Sequence, residues 1–248
     1  MRRLHRPSLA AHLVAYLSNA QTSIDEGADV EITWKRERRK AALREIFRIL
    51  GTITGRHERC MFCEDSRGTD IEHFWPRSPY RQFAFLWENF LLSCSGCNRC
   101  KSNRFPLGEN GKPILIDPTV DDPWDYFFYD TETDELTARW EAGGNVENER
   151  ARQTLEVLST LRHQAVLEGR GRVRRNLKRS VLSFLQRSLH GDNQAELHGE
   201  FLESIQDNDG FGLLHWFFLR EGQEEFPFSK LREDHPDVWN EITLLLSG

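Results

Sequence analysis

The spacing of hydrophobic residues predicts helices at both ends of the chain. Apolar positions recur every three or four residues over 8–20, over 35–50 and from about residue 148 onward, as on the buried face of a helix. The residues that make these stripes are Leu9, Leu13, Val14 and Leu17 in the first segment, Leu43, Ile46, Phe47 and Leu50 in the second, and Leu155, Leu158, Leu161, Val173, Leu177, Val181, Phe184 and Leu185 in the last.

The middle of the chain has a different pattern. Residues 70–75 and 86–93 are rich in β-branched and aromatic residues, which predicts two short strands, and a helix is expected next, over about 95–103. Residues 105–125 are dense in Pro, Gly and Asp, which is typical of a loop, and 126–137 has the pattern of a hairpin. The predicted fold class is therefore α+β, with a small core of two strands and one helix flanked by N-terminal and C-terminal α-helices.

This pattern divides the chain into four regions. We expect an N-terminal helical region over 1–55, a small core over 56–106, a loop and hairpin excursion over 107–147, and a C-terminal helical region over 148–248. A length of 248 residues suits one domain or a core with helical additions.

Four of the five cysteines form two C-x-x-C pairs, one before and one after the predicted strands: Cys60 with Cys63, and Cys94 with Cys97. Each pair can bring two thiolates to one ion, about 2.3 Å from each sulfur, so the two pairs together predict a closed structural zinc site. A thiol redox couple is disfavoured because no thioredoxin-like βαβ pattern accompanies the pairs, and disulfides need an oxidising compartment. Cys100 could replace Cys97 as the fourth ligand.

Polar residues between the two cysteine pairs form a candidate reaction centre. Glu72 and Asn98 can offer oxygen atoms to Mg²⁺ or Mn²⁺, and a neutral His73 imidazole can take a proton from water. These are the groups that a one-metal phosphodiester hydrolase needs. A single histidine in a strand is more often structural, but the neighbouring acids and cysteines favour the base. Asp70 is either a partner of this cluster or a solvated acid.

Three motifs connect these residues: Glu72-His73-x-x-Pro76, Trp87-x-Asn89 and Cys94-x-x-Cys97-Asn98-x-x-Lys101. With them the segment resembles the HNH endonucleases of the ββα-metal (His-Me finger) superfamily. The resemblance implies that Glu72 and Asn98 bind the catalytic metal, that His73 is the general base, and that Asn89 fixes the hairpin and orients that base. The chain departs from the family in two places, since Glu72 stands where Asp or His is more familiar and Asn98 where His is common.

Weaker motifs extend outside this core. They are the Arg6-Pro7-Ser8-Leu9 opening, Trp34 before a basic helix, Ile116-Asp117-Pro118, Asp121-Asp122-Pro123, Ala151-x-x-Thr154-Leu155-x-x-Leu158 and Leu167-x-x-Arg170. Together they are similar to the HNH nuclease component of Septu and retron-type bacterial defence systems. The resemblance implies an effector nuclease that acts with an ABC-type ATPase partner.

The charge distribution adds a candidate nucleic-acid surface. The net charge is −6, but Arg170–Arg179 carries six basic residues and no acid, and a second basic run spans Lys35–Arg48. Such a run is often only a solvated helix face; beside a nuclease motif, phosphate contact becomes the better interpretation. The residues expected to contact nucleic acid are Arg99, Lys101, Arg104, Arg170, Arg174 and Arg175.

The N-terminus imitates a short signal peptide, because Arg2 and Arg3 precede an apolar stretch. His12 interrupts that stretch, its apolar residues have helical spacing, and no apolar run is long enough to span a bilayer. We therefore expect a cytoplasmic protein that does not enter a membrane. The alternative to a nuclease is a non-catalytic zinc-ribbon module that binds nucleic acid.

Overall fold

The structure is a computed structural model that describes residues 1–55, 57–190, 193–208 and 210–247, without the side chains of Gln194 and Ser247. Of the region boundaries drawn from the sequence, Arg56 and Gly248 lie outside the described residues. The described part combines α-helices with two small two-stranded sheets, which confirms the α+β class.

The helices, in chain order, are α1 (Ala11–Asp25), α2 (Val30–Glu37), α3 (Ala41–Ile53), α4 (Ser95–Lys101), α5 (Glu149–Val157), α6 (Gln164–Leu189), α7 (Gln194–Asp207), α8 (Leu213–Leu219), α9 (Phe228–Asp234) and α10 (Pro236–Ser247). The strands are β1 (Asp70–His73), β2 (Phe90–Ser93), β3 (Phe127–Asp130) and β4 (Glu135–Ala138). β1 pairs with β2, and β3 pairs with β4.

The N-terminal helices bury the stripes that the sequence predicts, with one shift. Leu43, Ile46 and Leu50 of α3 are at most 1% exposed. The buried residues of α1 lie on one side of the helix; they are Leu13, Leu17, Ala20 and Ile24. Val14 was expected on that side, but it is 53% exposed because it lies about 100° around the helix from Leu13.

The segment expected to be one helix over 35–50 is two helices. α2 ends at Glu37 and α3 begins at Ala41. One physical reason accounts for the break. Like charges four residues apart within 35–40 repel one another along a helix. In addition, α2 begins earlier than expected because the Asp29 side chain caps it, accepting a hydrogen bond of 2.8 Å from a backbone N–H of its first turn.

The hairpin of β1 and β2 and the helix α4 that follows it lie within residues 56–106, together with both cysteine pairs. The strands are antiparallel, with Glu72 opposite Leu91 and His73 opposite Phe90. The second strand is shorter than the expected 86–93, because Trp87–Asn89 is a turn of 3-10 helix and only the residues after it are extended. This turn gives Asn89 its position beside the loop that joins the strands.

The chain divides into two compact units. The first comprises Met1, Arg3–Phe127 and Thr137–Arg162, and it includes both cysteine pairs. The second comprises Arg2, Phe128–Leu136 and the chain from His163 onward. In the part of the chain that the structure describes, no helix is both long enough and apolar enough to cross a membrane.

An aromatic core holds the second unit together. Phe217 stacks on Phe228, with ring centroids 4.3 Å apart, and Trp216 packs edge-on against Phe128 at 5.1 Å. The α6 residues Leu177, Val181, Phe184 and Leu185 are buried, as their spacing predicts.

Candidate functional site

The four paired cysteines meet in one buried cluster. The sulfur atoms of Cys60, Cys63, Cys94 and Cys97 all lie within 4.8 Å of one another, and those of Cys63 and Cys94 are 3.8 Å apart. A tetrahedron with zinc–sulfur bonds of about 2.3 Å has sulfur–sulfur edges of about 3.8 Å. Four buried thiols at this spacing are a donor set that can hold zinc.

Local hydrogen bonds explain why the cysteines converge. The backbone N–H of Met61, inside the first pair, donates to the Leu92 carbonyl of β2 at 2.8 Å. Cys94 caps α4, and its sulfur accepts a hydrogen bond from the Cys97 N–H at 3.4 Å. The four thiols act on one another: hydrogen bonds from Cys60 and Cys63 lower the pKa of the Cys94 thiol, while those from Cys60 and its neighbours raise the pKa of Cys63 and Cys97.

The fourth cluster member is Cys97 and not Cys100, which is the choice that the C-x-x-C spacing favours. The Cys100 sulfur lies outside the cluster, 3.4 Å from the Ser159 hydroxyl. Cys97 faces the cluster on one side and the Thr160 hydroxyl, at 3.0 Å, on the other. The cluster therefore ties the loop before β1 to the first turn of α4, which carries Asn98.

His73, at the end of β1, is 2% exposed and is enclosed by aromatic rings. The Trp34 ring centroid is 4.4 Å from the imidazole centroid, and that of Phe90 is 5.3 Å away. The Nε2 atom lies 2.9 Å from the Ala84 carbonyl oxygen. A carbonyl only accepts, so Nε2 carries the proton and Nδ1 of the neutral ring is an acceptor.

The surroundings of His73 keep the ring neutral. Burial is the largest cause and the positive charge of Arg77 the next, and together they lower the pKa of His73 to about 3. The Nδ1 atom faces Arg77, whose Nη1 lies 3.5 Å away. The arrangement is that of a proton acceptor with a fixed tautomer.

Asn89 fixes the loop that holds His73. Its side-chain oxygen accepts from the Trp75 N–H at 2.7 Å, and its amide nitrogen donates to the carbonyls of Trp75 at 3.0 Å and of Phe83 at 2.8 Å. Phe83 immediately precedes Ala84, the residue that accepts the hydrogen bond from His73. The Asn89 side chain, which is 2% exposed, thus links the two ends of this loop, at Trp75 and at Phe83, by hydrogen bonds.

Glu72 points away from His73, as adjacent strand residues do, and forms a buried ion pair. Its Oε1 atom accepts from the Lys101 ammonium at 2.8 Å, and the same ammonium donates to the His73 carbonyl at 2.7 Å. Burial raises the pKa of Glu72 and lowers the pKa of Lys101, and it is the main cause of each change. The opposite charge of the partner acts against burial in both residues.

Asn98 borders a polar cavity of about 410 Å³. Asp70 borders it as well, so two side chains with oxygen donors open onto this space. These donors suit a hard divalent cation in chemical type. Glu72 and His73 are not among the residues that line this cavity. Lys101 occupies the Oε1 atom of Glu72, so the second carboxylate oxygen, Oε2, is the one that Glu72 could offer to an ion without losing the ion pair.

The six residues expected to contact nucleic acid differ in accessibility. Arg99, Arg104 and Arg175 are exposed. Lys101 and Arg170 are at most 1% exposed, and each bonds inside the protein, Lys101 with Glu72 and Arg170 with the Asp134 carbonyl at 3.1 Å. A buried cation cannot reach a phosphate, so the expectation for these two residues is corrected.

Arg104 and Arg174 are also engaged within their own units. Arg104 donates to the Val157 carbonyl at 2.8 Å and to the Cys100 carbonyl. Arg174 makes a salt bridge of 2.8 Å with Asp134, and its side chain is 18% exposed. Arg104 is nevertheless exposed and Arg174 is largely covered, so phosphate contact stays a prediction for Arg104 and is less accessible for Arg174.

Three arginines that sequence reasoning did not single out line the cavity beside Asn98. They are Arg38 after α2, Arg44 of α3 and Arg77 in the loop after β1. The basic run over 35–48 was the signal for the first two. Arg77 follows Pro76 of the first motif, but nothing in its spacing shows that it faces His73.

A segment of this chain is similar to the Septu protein PtuB of Bacillus thuringiensis, with 33% identity over 72 residues. The match covers 27% of this chain and 26% of that protein, so the chain spans about a quarter of the length of the curated relative that it matches. No protein-family model matches the chain.

Proposed function

We propose that this protein is a metal-dependent endonuclease of the HNH type, with residues 56–106 as its nuclease core. The observation that carries the proposal is the tautomer of His73. Its Nε2 is fixed on the Ala84 carbonyl, and its Nδ1 faces Arg77, which borders the cavity of Asn98. A neutral imidazole whose acceptor nitrogen faces an arginine of a basic, polar cavity suits proton abstraction from water that attacks a phosphodiester.

The residues of the chain have separate roles in this proposal. His73 takes the proton of the attacking water at Nδ1, while the Ala84 carbonyl holds the opposite ring nitrogen and stabilises the imidazolium that forms. Asn89 keeps that carbonyl in place through the loop. The thiolate zinc site sets the distance between β1 and α4, and so between His73 and Asn98.

Glu72 and Asn98 are the residues that would hold the catalytic Mg²⁺ or Mn²⁺. When bound, such an ion neutralises charge on the phosphate and on the leaving oxygen. Glu72 would hold the ion either beside its bond to Lys101 or in exchange for it, and the Lys101 ammonium would retain the His73 carbonyl as an acceptor.

A cleavage assay tests the proposal. The zinc-loaded protein is incubated with plasmid DNA, single-stranded DNA and total RNA while Mg²⁺ and Mn²⁺ are varied. We expect cleavage that disappears in His73→Ala and persists in His12→Ala, a control at an exposed histidine of α1. If His73→Ala, with zinc still bound, cuts as well as the parent protein, the mechanism is wrong.

We further propose that the protein acts in bacterial antiviral defence, in the cytoplasm, with an ABC-type ATPase as its partner. The similarity to a Septu protein over part of the chain supports this role. Co-purification from the native host tests it, with the tagged protein as bait and mass spectrometry to identify what is bound. Recovery of the chain alone, together with full unregulated cleavage, contradicts a partner-controlled effector.

A second candidate function is a zinc module that binds nucleic acid without cutting it. The Glu72–Lys101 ion pair and the burial of His73 favour it, because both groups are already occupied within the protein. The same assay separates the two candidates. Binding to nucleic acid without cleavage under any divalent metal supports the module.

A further inference from the structure

The cavity beside Asn98 is lined by three guanidinium groups from three separate chain segments, those of Arg38, Arg44 and Arg77. We propose that these three arginines bind the phosphates of a DNA or RNA strand, and that Arg77 places one phosphate next to His73. This inference rests on the proposed nuclease function and names the phosphate-binding surface of the same site, in place of the basic run on α6.

Arg44 and Arg38 are available to a ligand. Arg44 is exposed, and its side chain has no hydrogen bond or ion pair with any residue that the structure describes. Arg38 is 55% exposed and makes one contact, of 3.3 Å, with the partly exposed Asp70. An exposed ion pair contributes at most about 1 kcal/mol, so a phosphate can displace Asp70 at little cost.

Arg77 is held more firmly and touches more of the site. It is 30% exposed, its Nη2 lies 2.9 Å from Glu31, and its guanidinium lies over the Trp34 ring at 5.6 Å. All three of its nitrogen atoms thus face protein groups, since Nε also lies 3.3 Å from Glu31 and Nη1 lies 3.5 Å from His73 Nδ1. A phosphate would replace the half-exposed Glu31 carboxylate as the partner of Nε and Nη2. The planar guanidinium can bind two phosphate oxygens at once, which a lysine cannot do.

The contact between Arg77 and His73 gives Arg77 its positioning role. In the neutral ring, Nδ1 is an acceptor and the Arg77 N–H faces it, so a water molecule can reach Nδ1 only when Arg77 turns away. A phosphate in the cavity offers Arg77 a stronger, charged acceptor. Binding of the strand therefore uncovers the base at the moment when a phosphate arrives beside it.

Binding measurements test the three arginines independently of cleavage. The protein used is the full chain with the His73→Ala substitution, loaded with zinc. Mg²⁺ and Mn²⁺ are left out so that nucleic acid is bound and not cut. Labelled duplex DNA, single-stranded DNA and RNA are titrated by fluorescence anisotropy over a range of salt concentrations. Arg38→Gln and Arg44→Gln should each lower the slope of log K against log salt by about 0.9 on duplex DNA and about 0.7 on a single strand. The ligand that the parent binds most tightly at a given salt concentration identifies the substrate class.

Arg152→Gln is the matched control, because it removes the same charge from α5 of the same unit and lies outside the cavity lining. Its slope should equal that of the parent. The inference is overturned if Arg44→Gln leaves the slope unchanged, if Arg152→Gln changes it equally, or if the parent binds none of the three ligands.

Steady-state kinetics with His73 intact test the positioning role of Arg77. We expect Arg44→Gln to raise KM at nearly constant kcat. Arg77→Gln should lower kcat at least tenfold, and the kcat of Arg77→Lys should lie between those of the parent and of Arg77→Gln. An effect of Arg77→Gln on KM alone overturns that role. Absence of cleavage by the parent protein contradicts the proposed function, while the binding slopes still decide whether the arginines hold phosphate.

Discussion

The Lys101 ammonium lies 2.8 Å from the Glu72 carboxylate, and both side chains are buried, at 0% and 8% exposure. The pair connects the last residue of α4 to the strand that carries His73. A buried ion pair gains little over an apolar pair of the same volume, but either charge alone is strongly destabilising. The two residues therefore depend on each other for stability, whatever else Glu72 binds.

We predict that Lys101→Met destabilises the protein by about 3–5 kcal/mol, because it leaves the Glu72 carboxylate buried without a partner. The double substitution Glu72→Gln with Lys101→Met should recover most of that loss. Urea unfolding followed by circular dichroism measures both variants. Lys35→Met, at an exposed position, is the control and should stay within about 0.5 kcal/mol of the parent. Equal stability of Lys101→Met and the parent contradicts the buried pair.

The cysteine cluster predicts a sharp difference between two neighbouring cysteines. Cys97→Ser should abolish stoichiometric zinc and destabilise the protein, because Cys97 belongs to the cluster. Cys100→Ser should keep both zinc and stability, because its sulfur lies outside. Metal analysis of the purified variants, with thermal unfolding, measures the contrast. The assignment of the four ligands is wrong if Cys100→Ser loses its zinc.

The sequence predicted those parts of the site that depend on short spacing. Two C-x-x-C pairs bring four sulfurs together because each pair spans one turn, and this cluster was identified in full. The order of strand, strand and helix was also predicted, since residue type and periodicity decide it locally. The ends of the elements were less accurate: the helix expected over 35–50 breaks after Glu37, where like charges meet.

Long-range pairing explains what the sequence could not show. Lys101 and Arg170 belong to basic runs that resemble a binding surface, yet both are buried by partners, Glu72 and Asp134, that lie 29 and 36 positions away in the chain. The role of Arg77 depends likewise on Trp34 and Glu31 of α2, which only the folded chain brings close. Charge along a sequence does not reveal which cations the fold will neutralise.

Asn89 should be required for activity more than for folding. Asn89→Ala removes three hydrogen bonds and leaves buried backbone groups of Trp75 and Phe83 without partners, at a cost of about 1–3 kcal/mol. Because the Ala84 carbonyl follows Phe83, we expect a loss of at least tenfold in kcat at a temperature where circular dichroism shows a folded protein. The control is Asn110→Ala, at an exposed loop position. Unchanged kcat in Asn89→Ala contradicts its part in orienting His73.

Glu37 predicts a pH dependence of stability that arises outside the cysteine cluster. Burial raises the pKa of Glu37, but hydrogen bonds from Lys40, Tyr16 and Arg36 outweigh this effect and lower the pKa to about 2. A carboxyl whose pKa is lower in the folded state than in the unfolded state stabilises the protein above the unfolded pKa, near 4.5, where this contribution is complete. It declines as the pH falls toward 2.

The measurement is the free energy of unfolding at a series of pH values for the parent and for Glu37→Gln. The difference between them should be constant above about pH 5 and shrink steadily as the pH falls below 4.5. Because Arg36 and Lys40 are half-exposed and screened by water, we expect the pH-dependent part to reach about 1–2 kcal/mol. The control is Glu26→Gln, at an exposed carboxyl after α1 that lies outside this network. A Glu37→Gln curve parallel to that of the parent between pH 5 and 2.5 means that the carboxyl titrates alike in the folded and unfolded chains, and then its three hydrogen bonds do not stabilise the end of α2.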